Sequence, residues 1–198
     1  MAEQSHYPHY DVMDEAEAWD DHTRDVVRKR LAPNGNFSFL TNQEAKTLAK
    51  IVATLTDDER SEIISYILSY IDQRLQSKIG ESERKVGIPK EADLIRNGLA
   101  LIDTVAKSSA GQEFASLTLQ ERQTILGNLE RQQLPVPWPD KGFPQKELFN
   151  KLLRLAVESY YSHPLVWSEI GHGGPAYPRG YVRTEPGLLD PWEAKAEE

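Results

Sequence analysis

The chain has no cysteine among its 198 residues, and this absence removes several kinds of chemistry at once. Disulfides, thiolate zinc sites, cysteine-ligated iron–sulfur clusters and haem attached through a Cys-x-x-Cys-His motif all require thiols. Any redox centre would therefore need a cofactor that is held in another way. Long apolar runs are missing as well, and no stretch reaches the length of roughly 20 residues that a membrane-spanning helix needs.

The chain also lacks an excess of positive charge. Its formal net charge is −8, its isoelectric point is near 5.2, and its Lys and Arg residues are scattered. This distribution argues against nucleic acid as the main ligand and against an acidic membrane surface as a partner. Residues 1–13 contain no apolar run and no twin-arginine pair, so they predict no export signal. We therefore expect a cytoplasmic protein without direct membrane insertion, which reaches a membrane only through a partner.

The sequence contains clear signals for helices and no strand alternation, which predicts an all-α protein. Three Thr-x-x-Glu segments, at Thr41, Thr56 and Thr118, place a hydroxyl and a carboxylate where they cap a helix N-terminus. Apolar residues recur at spacings of three and four after each of them, around Ile95, and again over residues 145–162. These patterns predict a compact bundle of about five to six helices.

Two arms flank this helical core, which we assign to residues 37–162. The N-terminal arm, residues 1–36, carries one predicted helix from Asp21 to Leu31, which Pro33-Asn34-Gly35-Asn36 ends. The extended C-terminal arm, residues 163–198, holds five of the twelve glycines and five of the twelve prolines together with Trp and Tyr. Such a Gly/Pro/aromatic-rich arm either packs on the chain's own helices or covers a partner.

The C-terminal arm begins with a signal for a short helix. His163 precedes Pro164, and the residue before a proline is pushed out of the α region. We expect His163 to end the last long helix and Pro164 to open a new one. That helix would run through Ile170 and stop at Gly171.

Candidate catalytic and metal-ligating residues are few. The five histidines, at positions 6, 9, 22, 163 and 172, show no fixed ligand spacing on one helix face. Gly171-His172-Gly173-Gly174 has the small residues of an anion-binding loop, but it follows no strand and lacks the Lys and hydroxyl of a P-loop, so we predict a tight turn. Two alternatives stay open: a freestanding enzyme that uses His163 and His172, with or without a metal, and a general helical adaptor.

Four segments together match the pattern of a known family. They are Phe39-Leu40-Thr41-x-x-Glu44, Gly98-Leu99-x-x-Ile102-Asp103, Phe114-x-x-Leu117, and Ser162-His163-Pro164 followed by Trp167-x-x-Ile170-Gly171 and Gly174. With these segments, the chain from about residue 37 to residue 182 resembles the gluconate 2-dehydrogenase subunit 3 family. Many members carry a twin-arginine leader and a Gly-Gly-Asn segment before the tryptophan, and this sequence shows neither.

The resemblance implies a small, cofactor-free subunit that stabilises a large partner of the glucose-methanol-choline oxidoreductase type. That partner would bind FAD, oxidise a sugar or sugar acid, and provide the route to a cytochrome or quinone acceptor. No catalytic, metal or cofactor-binding residue is then expected in this chain. The candidates for the partner interface come from the closing motif and the aromatic arm: His163, Pro164, Trp167, Ile170, Gly171, Gly174, Tyr177, Arg179 and Tyr181.

These candidates are expected to differ in burial. Trp167 should be either a core residue or an interface anchor, because of its size and its place in the short helix. Arg179 and Tyr181 lie farther along a Gly/Pro-rich path, where burial against the chain's own helices is less expected. Replacing either of them with Ala should therefore leave the melting temperature of the isolated chain nearly unchanged.

Overall fold

A computed structural model describes residues 5–33, 35–77, 85–135, 142–183 and 185–195, and this part of the chain contains helices and no strand. Its α-helices are α1 (Asp21–Leu31), α2 (Asn42–Thr56), α3 (Ser61–Gln76), α4 (Glu91–Ala110), α5 (Leu119–Glu130), α6 (Gln145–Tyr160) and α7 (Pro164–Ile170). Two 3-10 helices, Val12–Ala18 and Phe114–Ser116, accompany them. The all-α prediction is confirmed, and so is the helix predicted in the N-terminal arm.

Helices α2 to α6 pack around one apolar core, which we call the helical core. α2 contacts α3, α5 and α6, and α6 also contacts α3 and α4. The inward face of α3 shows the helical spacing, with Ile63, Ile67 and Ile71 each at most 1 % exposed. Burial of such branched side chains supplies the main stabilisation of the bundle.

The cap signals of α2 and α5 are confirmed, and the one at Thr56 is wrong. Thr41 and Thr118 each accept a hydrogen bond from the backbone N–H of a glutamate three residues later, and that glutamate accepts one from the threonine N–H. Thr56 is instead the last residue of α2, and its hydroxyl donates to the Val52 carbonyl at 3.0 Å. The chain leaves the helix at Asp57, which takes a left-handed φ of 52°, so α3 begins later than the signal predicts.

Two buried carboxylates hold the loops that lead into helices. Asp72 of α3 accepts hydrogen bonds from the backbone N–H groups of residues 38–40 at 2.8–2.9 Å. Asp103 of α4 accepts one from the Phe114 N–H at 2.9 Å. Each carboxylate satisfies backbone donors that burial would otherwise leave unpaired. The Phe39-Leu40, Ile102-Asp103 and Phe114 segments of the family pattern therefore have structural roles in this chain.

Gly98 sets the distance between α4 and α6. A Cβ atom at this position would lie 2.4 Å from Cδ1 of Leu148, closer than real Cβ contacts come. The absence of a side chain therefore lets Leu148 of α6 approach the α4 backbone.

The alternating prolines of residues 134–144 predict an extended connection between α5 and α6. Residues 136–141 of that segment lie outside the described residues, so this prediction stays open. Its flanks are joined directly, since the Gln145 side chain accepts from the Leu134 N–H and donates to the Leu134 carbonyl, both at 3.0 Å. In the described ranges, no helix combines the length and the apolar character needed to cross a bilayer.

The two ends of the chain pack on each other beside the helical core. They share a second, smaller group of buried apolar side chains: Val12, Ala16, Trp19, Val27 and Trp167. We call the described residues of 5–31 and 163–195 the terminal module. It contains the first 3-10 helix, α1 and α7, and it carries all nine of the candidate interface residues.

Candidate partner-binding surface

Helix α7 forms as the sequence predicts, with one difference at its start. Pro164 occupies the first turn, where a backbone N–H would have no partner within the helix, so its absence costs no hydrogen bond. Gly171 ends the helix with a φ of 73°. His163 does not end α6, which stops at Tyr160. It is the N-cap of α7, because the extended backbone imposed by the following proline is also the conformation of a cap, and its Nδ1 accepts from the Leu165 N–H at 3.3 Å.

His163 is fully buried and serves the structure. Burial and the neighbouring Arg60 guanidinium lower its pKa, so the ring is neutral near pH 7. Its Nε2 has no hydrogen-bond partner among the described residues, and its ring lies edge-on to Tyr66 with 5.3 Å between centroids. With no face open to solvent, His163 is not placed to act on a substrate.

His163 precedes α7 and His172 follows it, and the two rings contact different residues. The His172 ring packs edge-on against Trp167, with 5.6 Å between centroids. His163 contacts Tyr66 and His172 contacts Trp167, so each histidine has a packing role of its own. In the part of the chain that the structure describes, no group of three or more His, Asp or Glu side chains could hold a metal ion.

Arg60 ties α7 to the helical core through two carboxylates. Its guanidinium donates to Asp58 at 2.5 Å and to Glu169 of α7 at 3.0 Å, and Tyr160 donates to Asp58 at 3.2 Å. Glu169 and Asp58 raise the pKa of Arg60, while burial and the Asp58 charge raise the pKa of Tyr160 to about 12. Because the raised pKa values keep Arg60 charged and Tyr160 protonated near neutral pH, the network links elements and does not form a tuned acid–base pair.

The glycine turn after α7 is covered by aromatic rings of the N-terminal segment. A Cβ at Gly171 would lie 2.6 Å from the Tyr7 ring, and a Cβ at Gly174 would lie 2.7 Å from the Trp19 ring. Both glycines also have a φ of 73°, which side chains disfavour. The backbone is left-handed at both glycines, and the space beside them is filled by the chain's own side chains.

Arg179 is the residue at which the two ends of the chain meet. Its side chain is 6 % exposed, and Nη2 donates to the carbonyls of Gly173 at 2.5 Å and Pro175 at 3.3 Å. The guanidinium carbon lies 4.5 Å from the centre of the Trp192 ring and 5.7 Å from that of Trp19. Both indoles therefore contribute cation–π attraction, while burial lowers the pKa of the guanidinium.

The first 3-10 helix is fastened both to α7 and to the C-terminal segment. The Val12 N–H donates to the Ser168 hydroxyl at 3.1 Å, and the Tyr10 hydroxyl donates to the Trp192 carbonyl at 2.8 Å. Burial, with a smaller contribution from Glu15, raises the pKa of Tyr10 to about 12, so the donor stays protonated near neutral pH. These two bonds hold the N-terminal segment against α7 and against Trp192.

The position of Arg179 corrects one expectation, and that of Tyr181 agrees with another. Arg179 was expected to lie away from the rest of the chain, but it is buried between Trp19 and Trp192. The sequence could not reveal this, because Trp19 lies near the opposite end of the chain. Tyr181 is 68 % exposed and Tyr177 is 66 % exposed, so both are available to a partner.

A sequence model described as Gluconate 2-dehydrogenase subunit 3 matches residues 42–174. The chain belongs to this family. The match begins with α2 and ends at the glycine turn, so it covers the helical core and α7 and leaves most of the terminal module outside. No curated protein and no solved structure matches the chain significantly.

The nine interface candidates of this subunit-family chain divide into two groups. Six are buried or half-buried by the chain itself: His163, Pro164, Trp167, Gly171, Gly174 and Arg179. Three are exposed: Ile170, Tyr177 and Tyr181. The C-terminal arm exposes three further apolar residues that are not among the nine candidates: Val182, Leu188 and Leu189. The apolar pair between Gly187 and Asp190 is a signal that the sequence alone shows.

Proposed function

We propose that this chain is a non-catalytic small subunit that binds and stabilises a large FAD-dependent dehydrogenase of the glucose-methanol-choline type. The observation that carries the proposal is membership of the gluconate 2-dehydrogenase subunit 3 family over the whole helical core. In this proposal FAD is bound by the large subunit, and the hydride is taken from a sugar or sugar acid there. Transfer of electrons to a cytochrome or quinone acceptor is likewise a property of the large subunit.

The roles of the buried polar residues support a binding function. His163 caps α7, Asp72 and Asp103 hold loops, and Arg60 joins α7 to the core. Each of these groups, which could serve as acid, base or ligand elsewhere, makes contacts within the chain. Exposed aromatic side chains on the C-terminal arm, such as Tyr181, are the kind of residue that anchors protein interfaces.

Co-purification tests this proposal. Each large FAD-dependent dehydrogenase of the same organism would be expressed with an affinity tag, alone and together with the untagged chain. We expect one of them to retain the chain in a fixed ratio through size exclusion, and to keep its flavin at higher temperature than when expressed alone. An obligate pair of this kind commonly buries upwards of ~2,000 Å².

Two results would contradict the subunit function. One is a chain that elutes as a free monomer beside every large flavoprotein at micromolar concentration. The other is oxidation of a sugar or sugar acid by the isolated chain, which would favour the freestanding enzyme.

A further inference from the structure

The C-terminal segment exposes four large apolar side chains in two adjacent pairs. Tyr181 is 68 % and Val182 is 54 % exposed, and farther along the chain Leu188 is 48 % and Leu189 is 52 % exposed. We call these four residues the docking loop. Single exposed apolar residues are ordinary on a protein surface, but a cluster of them marks an interaction site.

The helices expose apolar side chains in a different way. Val26 on α1, Leu119 on α5 and Val157 on α6 are each about two-fifths exposed, and each lies on a different helix. These are scattered positions at the edges of amphipathic faces. Exposed apolar residues are therefore clustered in the docking loop and isolated from one another on these helices.

Asp190 brings the two apolar pairs together. It is fully buried, and its Oδ1 accepts hydrogen bonds from the N–H groups of Val182 and Arg183, both at 2.8 Å. Because Asp190 follows Leu189 directly, these bonds bring the backbone of the first pair to the end of the second. The Asp190 N–H donates in turn to Glu193 at 2.7 Å. Hydrogen bonds, and not burial of its own apolar side chains, thus hold this loop closed.

The base of the loop is fixed to the rest of the molecule. The Ala194 N–H donates to the Gly171 carbonyl at 3.2 Å, Tyr10 binds the Trp192 carbonyl, and Arg179 contacts the Trp192 ring. A surface that is ordered before association loses less conformational entropy on binding. The chain therefore presents exposed apolar side chains on a preformed support.

Building on the proposed function, we propose that the docking loop inserts into an apolar groove of the large flavoprotein subunit and that Asp190 is its positioning residue. The four exposed side chains carry no charge, and the neighbouring Arg183 pairs with Glu193 at 3.6 Å, so the docking loop matches an apolar groove. A second copy of this chain is a poorer occupant, because each copy carries a net charge of −8 and the two would repel.

The test compares two double variants, each of which replaces two exposed aliphatic side chains with serine. Leu188→Ser with Leu189→Ser removes half of the docking loop, and Leu119→Ser with Val157→Ser removes two similarly exposed apolar side chains from the helical core. Binding to the tagged large subunit is measured by titration, and the state of the free chain by its melting curve. We expect the loop variant to bind at least about tenfold more weakly with its melting temperature unchanged, and the control to bind like wild type.

A second set of variants tests Asp190, first by proteolysis of the free chain and then by binding to the large subunit. Asp190→Ala should speed trypsin cleavage after Arg183, while Arg179 stays protected in its buried site. Asp190→Asn retains an oxygen that can accept the two loop N–H groups, so it should restore slow cleavage and most of the affinity for the large subunit. Equal cleavage rates in wild type and Asp190→Ala would overturn the positioning role.

The remaining outcomes separate this inference from the proposed function. If wild type binds the large subunit and the loop variant binds equally well, the docking surface is elsewhere and the subunit function stands. The inference also fails if the control weakens binding as much as the loop variant. A homodimer in sedimentation that the loop variant abolishes would identify a second copy as the occupant. If wild type binds no large subunit, both proposals fall.

Discussion

The helical core and the terminal module are held together by different interactions. In the core, α2 to α6 bury continuous apolar faces, and residues such as Leu48, Ile67 and Phe114 are fully covered. The module has only a small apolar cluster around Trp19 and Trp167. Its remaining order comes from hydrogen bonds and ring contacts that join α1, α7 and the first 3-10 helix to irregular segments.

This difference predicts unequal stability within one chain. Apolar burial in the core adds up over many side chains, whereas a typical hydrogen bond contributes only about 1 kcal/mol net. Segments with few buried apolar contacts open at lower free energy than the core they are attached to. The family match covers the core and α7, so most of the region that we expect to be less stable lies outside the matched residues.

The largest expected effect is at Trp167, which joins the two regions. Its side chain is 6 % exposed, its Nε1 donates to the Tyr161 carbonyl just after α6 at 2.6 Å, and the Arg30 guanidinium lies 5.2 Å from its ring. Trp167→Ala should lower the free energy of unfolding by about 3 kcal/mol or more, because a large buried side chain is lost. Urea denaturation of the isolated chain measures this, with Tyr181→Ala as the exposed aromatic control.

A change near zero in the free energy of unfolding of Trp167→Ala would contradict the role of Trp167 in joining the two regions. It would mean that α7 adds nothing to the stability of the helical core. An equal loss in Tyr181→Ala would show that the C-terminal arm packs on the chain more tightly than the exposure of Tyr181 indicates.

Arg179→Ala should have a smaller effect that is confined to the module. The substitution removes two hydrogen bonds and the contact with both Trp19 and Trp192, so we expect a loss of about 2 kcal/mol in the stability of the module. Hydrogen exchange should rise in residues 171–195 while α2 to α6 remain protected. Arg179→Lys keeps the charge but loses the planar guanidinium with its N–H donors, so it should not restore protection from hydrogen exchange.

For Arg179→Ala, the region in which hydrogen exchange rises decides whether the module opens separately from the core. Faster exchange throughout α2 to α6 would mean that the module and the core unfold as one cooperative unit. Unchanged exchange in residues 171–195 would show that Arg179 is not what joins the termini.

Mild acid should give the smallest effect. Because burial lowers the pKa of His163 in the folded chain, the unfolded chain takes up a proton at higher pH than the folded chain does. The free energy of unfolding should therefore fall as the pH drops below about 6.5, by at most about 1.4 kcal/mol per pH unit. Urea titrations at several pH values measure the slope.

His163→Asn identifies the source of that slope. Asn retains a side-chain acceptor for the N-cap but takes up no proton, so the slope should flatten in this variant. Partial burial also lowers the pKa of His172, but this residue is far more exposed than His163, so His172→Gln should change the slope less. A slope that persists in His163→Asn would assign the pH dependence to other groups.

The interface candidates show how far sequence reasoning reached into the candidate site. Tyr177 and Tyr181 could be chosen from composition, since aromatics in a Gly/Pro-rich arm are typical of interfaces, and both are exposed. Arg179 was chosen on the same grounds and is buried. Composition indicates which residue types suit an interface, but it does not show which of them another part of the same chain covers.

The bounds of α1 and α7 and the starts of α2 and α5 follow from the sequence, because capping, proline and helical periodicity act over a few neighbouring residues. The wrong start at Thr56 belongs to the same class of signal, and it failed because α2 continued through the threonine until Asp57 turned left-handed. The position of Arg179 between Trp19 and Trp192, and the packing of the chain's two ends into one module, depend on long-range contacts. Those contacts join residues far apart in the chain, and their geometry depends on how α7 returns to the first 3-10 helix, which no local pattern encodes.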